Sequence, residues 1–104
     1  MRKPFYIATQ GPLKDTIAAF WHMCVNNNTR RIVQVTGFHE SHIPLGDGQT
    51  PNKCAFYFPQ KSGAMISESK IEPIKFKVEN IEITEASWGL VSILRLTVLD
   101  MGNF

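Results

Sequence analysis

The clearest pattern in the chain is an apolar stripe between residues 17 and 25. Apolar residues recur there at intervals of three and four, the spacing of one face of an α-helix. They are Ile17, Phe20, Trp21, Cys24 and Val25. Asp15 or Thr16 can accept a hydrogen bond from the first free backbone N–H groups, and the asparagines at 26–28 suit a left-handed stop. The sequence therefore predicts a helix between these two signals.

Two short β-rich runs flank this helix. Residues 5–9 end before the turn pair Gly11-Pro12 and predict a strand, and residues 32–36 predict a second, mostly buried strand. Strand, helix and strand in so few residues indicate a βαβ-like unit. Residues 38–53 show no periodicity and predict a long loop.

The C-terminal half predicts a long antiparallel hairpin. Ile74, Phe76 and Val78 alternate with lysines, and the apolar phase then shifts, which indicates a β-bulge near residues 79–80. After a turn at 86–89, residues 90–99 predict the second strand. Residues 54–58 are a further strand candidate, and a turn is expected at 62–63. The expected fold class is α/β, a mixed, twisted sheet with one main helix and a long C-terminal β-hairpin.

Composition narrows the class of protein. The chain has 104 residues, of which 43% are apolar and 19% charged, with a formal net charge of +2. This predicts one globular domain and excludes a disordered or fibrous chain. No basic tract indicates nucleic acid, and no run of roughly 18 apolar residues predicts a membrane span. Two cysteines are too few for a disulfide framework, so reduced thiols and a cytoplasmic location are expected.

Cys24 and Arg30 have the C-x5-R spacing of cysteine-dependent phosphatases. That chemistry needs a low-pKa thiolate, and a loop that leaves a strand and enters a helix, so that backbone N–H groups point at the phosphate. Here the order is reversed, because Cys24 completes the apolar stripe of a helix that leads into a strand. No glycines lie between the two residues to let the backbone close around phosphate. We therefore expect Cys24 to be a core residue.

Two histidines, His39 and His42, are spaced for a possible metal site. Only Asp47 or Cys54 could complete it, and a zinc site needs three or four fixed ligands. Histidines on a surface loop are the more common interpretation, so neither a metal nor a cofactor is expected.

Five ordered motifs resemble the tyrosine-specific protein tyrosine phosphatase domain. Residues 6–12 read Y-I-A-T-Q-G-P, residues 16–23 resemble the family's T-x-x-x-F-W-x-M helix, and residues 32–36 resemble its I-V-M-L-T strand. Residues 53–59 resemble K-C-x-x-Y-W-P, and residues 93–96 resemble the strand that leads toward the W-P-D loop. The positions that carry the family pattern are Tyr6, Gln10, Gly11, Pro12, Phe20, Trp21, Cys54, Tyr57 and Pro59.

The resemblance implies a partial phosphatase domain over residues 1–104. The family hydrolyses phosphotyrosine on proteins through a cysteinyl-phosphate intermediate, but this sequence contains neither W-P-D nor the H-C-x5-R motif. By resemblance, Glu40 aligns with the glutamate that braces the catalytic arginine, and Lys53 aligns with the lysine that approaches the site. Ala19, Gly37 and Phe58 depart from the family pattern.

Two functions follow as hypotheses. In the first, the chain is the central piece of a phosphatase domain and is inactive alone, with phosphotyrosine proteins as substrates only of a longer protein. In the second, it is a non-catalytic, phosphatase-like binding module whose exposed sheet edges pair with a protein partner or with a second copy.

Overall fold

The computed structural model describes residues 6–35, 37, 54–69 and 73–100. These residues form one helix, α1 (Ile17–Asn26), and three strands, β1 (Gly63–Glu68), β2 (Lys75–Ala86) and β3 (Gly89–Asp100). The strands form one antiparallel sheet in the order β1-β2-β3. One helix beside a sheet with a long C-terminal hairpin confirms the expected α/β class. The parallel pairs that a mixed sheet would need are not found among the described residues.

Helix α1 forms where the apolar stripe predicts it, and its end has a definite geometry. Asn28 has a positive φ of 52°. The Thr29 N–H donates to the Cys24 carbonyl at 3.0 Å, and the Asn28 N–H donates to the Val25 carbonyl at 3.2 Å. This pair of bonds is a Schellman motif, which satisfies carbonyls that a helix end otherwise leaves unpaired. The predicted left-handed stop is confirmed.

The start of α1 is built differently from the prediction. Thr16 is the N-cap residue, but its side chain makes no capping bond to the helix. Its hydroxyl instead accepts the Leu13 N–H at 2.9 Å and donates to the Leu13 carbonyl at 3.2 Å. Thr16 therefore stabilises the turn that leads into the helix.

The β2–β3 hairpin is confirmed, and so is the bulge. The register shifts between Asn80 and Glu82, which leaves Ile81 as an extra residue in β2. Before the shift, Phe76, Val78 and Asn80 face the core, and after it Ile83 takes over that face opposite Ser92. This is why the apolar phase changes along the strand.

The core lies between α1 and one face of the sheet. Its fully buried side chains are Phe76, Ile74, Val78 and Cys54, joined by Ala18, Trp21, Cys24 and Tyr57. Partly buried residues from α1 and β3, among them Phe20 and Leu94, pack against this cluster. The core thus joins the helix, the hairpin and the segment that contains Cys54.

Three predicted strands are wrong in the residues that the structure describes. Residues 6–9, 32–35 and 54–58 carry no strand assignment. In the second of these runs, Val33 and Val35 are 83% and 89% exposed, although a mostly buried strand was expected. A strand needs a neighbour to pair with, and no described segment pairs with these runs. The βαβ-like unit is therefore not formed, whereas β1 forms without having been predicted.

Candidate functional site

An aromatic cluster brings together two of the family-like segments. Phe20 and Trp21 from α1 pack on Tyr57, with ring centroids 5.0 and 5.8 Å from it. The Trp21 Nε1–H donates a 2.8 Å hydrogen bond to the Tyr57 carbonyl oxygen. Phe58 adds a further edge-on ring at 4.9 Å from Tyr57. Edge-on aromatic pairs of this kind stabilise a core beyond the area that they bury.

A close backbone approach joins the first family-like segment to the same cluster. An added Cβ at Gly11 would lie 2.7 Å from both Cβ and Sγ of Cys54. The Ala55 N–H donates a 2.7 Å hydrogen bond to the Pro12 carbonyl beside it. Glycine at position 11 is therefore required by contact with the buried Cys54 side chain.

Two further hydrogen bonds fix the segment around Tyr57. The Tyr57 hydroxyl donates to Gln34 Oε1 at 2.7 Å, and the Asn80 amide donates to the Pro59 carbonyl at 2.8 Å. Burial raises the pKa of Tyr57 to about 12, and the thiols of Cys54 and Cys24 add to the rise when they are charged. The phenol is therefore neutral at physiological pH and acts as a hydrogen-bond donor.

The sequence did not predict the roles of Gln34 and Asn80. A signal exists in each case, because each is a polar residue within an apolar pattern. Gln34 interrupts the run at 32–35, and Asn80 occupies the core-facing phase of β2 at 3% exposure. Asn80 is buried, and polar residues inside a protein are found mainly where a hydrogen bond satisfies them. Gln34 is exposed, although its Oε1 accepts the Tyr57 hydroxyl.

Cys24 is a core residue, as the sequence predicts. It lies on the last full turn of α1 at 5% exposure, and its own carbonyl accepts the Schellman bond. Burial raises the pKa of its thiol above the ordinary value of 9.0, against the opposite effect of a hydrogen bond with Thr29. The nearby helix C-terminus carries partial negative charge, which disfavours a thiolate. With Arg30 exposed, this C-x5-R pair has the reverse of the electrostatics of a phosphate-binding loop.

Of the candidate accessory and metal-ligating residues, the structure describes only Cys54. Glu40, Lys53, His39, His42 and Asp47 lie outside the described residues, so their roles stay predictions. Within the described residues, no group of three or more histidine, cysteine or acidic side chains could hold a metal ion.

The remaining family-pattern residues separate into two groups. Tyr6 is 88% exposed and Gln10 is also exposed, so neither belongs to the core. Gly11, Pro12, Cys54 and Pro59 all take part in the contacts described above. The site that the structure assembles is therefore a packing junction of family-like segments, and its described groups include no activated nucleophile.

An open, mainly apolar groove of about 730 Å³ lies beside this junction. One wall comes from the end of α1 and residues 28–34, and the other comes from the hairpin. The hairpin residues that line it include Ile83, Leu90, Leu94 and Leu96. The mainly apolar lining suits an apolar polypeptide surface more than a charged phosphate, although Arg30 is one of the lining residues.

Comparisons with known proteins agree with the resemblance of these five motifs to a tyrosine phosphatase domain. The sequence model described as protein-tyrosine phosphatase matches residues 1–98. A tyrosine-protein phosphatase non-receptor type 20 of Rattus norvegicus is 38% identical over 86 residues, which are 78% of this chain and 17% of that protein. Receptor-type tyrosine-protein phosphatase-like N of Homo sapiens is 37% identical over 67 residues, 64% of this chain and 7% of that protein.

A third relative matches a shorter stretch of the chain. Tyrosine-protein phosphatase Lar of Drosophila melanogaster is 39% identical over 56 residues, which are 54% of this chain and 2% of that protein. The chain thus spans less than a fifth of the length of these relatives. No solved structure matches it significantly.

Proposed function

The chain belongs to the protein-tyrosine phosphatase family, and we propose that residues 1–104 form one partial domain that carries structural elements of the phosphatase fold without catalysing hydrolysis by itself. The observation that supports this is the junction of Gly11, Trp21, Cys54 and Tyr57. It uses family-pattern residues for packing and hydrogen bonding. These residues hold segments of the fold together, and none of them acts as a nucleophile or acid in the proposal.

The family reaction explains why the chain alone is proposed to be inactive. Hydrolysis of phosphotyrosine through a cysteinyl-phosphate requires a thiolate nucleophile, an arginine that binds the phosphoryl oxygens and a general acid. The sequence contains no W-P-D and no H-C-x5-R motif, and the thiol of its one C-x5-R pair is buried. Without a nucleophile the covalent route itself is absent.

The roles beyond the scaffold belong to a longer protein. We propose that phosphotyrosine proteins are substrates only where the missing motifs are supplied, with Glu40 and Lys53 as accessory residues beside that active site. A cytoplasmic setting and a role in signalling are proposed on the same basis. The described residues contain no helix with the length and apolarity that crossing a bilayer requires.

The test is a phosphatase assay on the purified chain with a phosphotyrosine peptide. The expected result is no turnover above the peptide alone, for the chain and for Cys24→Ala and Arg30→Ala variants. Turnover that both substitutions abolish would show that the C-x5-R pair is catalytic and would overturn the proposal. Circular dichroism of each variant serves as the folding control.

A second function rests on a different observation. β3 lies at an edge of the described sheet and exposes apolar side chains on both faces. Edge strands with this character pair with other polypeptides. We propose, as the alternative, a non-catalytic binding module that uses this edge. A monodisperse monomer with no affinity for any extended peptide would contradict it.

A further inference from the structure

We draw no further inference here: the strongest candidate, the open apolar groove between the C-terminal end of α1 and the β2–β3 hairpin, carries nothing, because nothing among the described residues shows what covers it.

Discussion

Replacing Gly11 with alanine tests whether the first family-like segment is held by its close approach to Cys54. The new methyl group would lie 2.7 Å from both Cβ and Sγ of Cys54, well inside van der Waals contact. Cys54 is only 1% exposed, so its side chain has no open space to move into. We therefore expect the contact between the segment at residues 6–12 and the segment that contains Cys54 to open more often.

The magnitude follows from two opposing effects. Overpacking of a core costs about 1–3 kcal/mol. Alanine restricts the unfolded chain and so recovers about 0.4–1 kcal/mol. Taking the middle of each range, the net destabilisation should be about 1.3 kcal/mol, which is roughly a tenfold change in an equilibrium constant.

Hydrogen exchange measured by mass spectrometry gives a local readout. The Ala55 amide bonds to the Pro12 carbonyl at 2.7 Å, so peptides that cover residues 54–58 should exchange roughly tenfold faster in Gly11→Ala. Peptides from the hairpin at residues 90–96 serve as the internal control and should change less.

Cys54→Gly provides the matched background, because it removes both atoms that the methyl group would meet. In that background, Gly11→Ala should change the free energy of opening at residues 54–58, as measured by hydrogen exchange, by less than about 0.5 kcal/mol. The same acceleration with and without the Cys54 side chain would refute the steric explanation, and no acceleration in either background would refute the close approach itself.

Three further changes test other parts of the fold. Trp21→Phe removes the donor to the Tyr57 carbonyl and should cost about 1–3 kcal/mol, seen as a lower Tm by circular dichroism; an unchanged Tm would mean that the bond does not stabilise the fold. Folding raises the pKa values of Tyr57, Cys24 and Cys54, so the unfolded chain loses these protons at a lower pH than the folded chain does. The free energy of unfolding should therefore be retained below about pH 9 and fall as the pH rises toward 12. A Tm that is constant from pH 9 to 12 would contradict this. Gly89→Ala meets no atom within 4 Å but must adopt a φ near +153°, so strain alone should cost about 1–3 kcal/mol and lower the Tm; equal stability would show that the hairpin relaxes freely.

The helix and the hairpin could be predicted because their signals are local. The stripe from Ile17 to Val25 has the helical period, and the alternation around Phe76 has the strand period, so each reports its own structure. The phase shift after Val78 even located the bulge to within two residues. Nothing distant in the chain was needed.

The errors arose where structure depends on a partner. Residues 32–35 have strong β propensity, yet they form no strand because no described segment pairs with them. β1 was missed for the opposite reason. Its sequence, Gly63–Glu68, alternates weakly, but pairing with β2 makes it a strand. Strand propensity describes how well a residue fits a sheet that other residues provide.

The junction was predicted as a set of residues and not as a set of contacts. The resemblance selected Gly11, Trp21, Cys54 and Tyr57, but the bond from Trp21 to Tyr57 joins positions 36 residues apart. Gln34 and Asn80 entered only with the structure. A local pattern carries no information about which distant carbonyl a buried donor will meet.

The two tryptophans of the chain occupy opposite environments, and this makes them a natural pair of optical probes. Trp21 is 4% exposed within the aromatic cluster, whereas Trp88 is 79% exposed in the turn of the hairpin. Trp21 should emit at shorter wavelength and resist collisional quenchers, and Trp88 should emit at longer wavelength and be quenched readily. A single emission spectrum therefore reports the state of the core and the solvent access of the hairpin tip at the same time, without any added label.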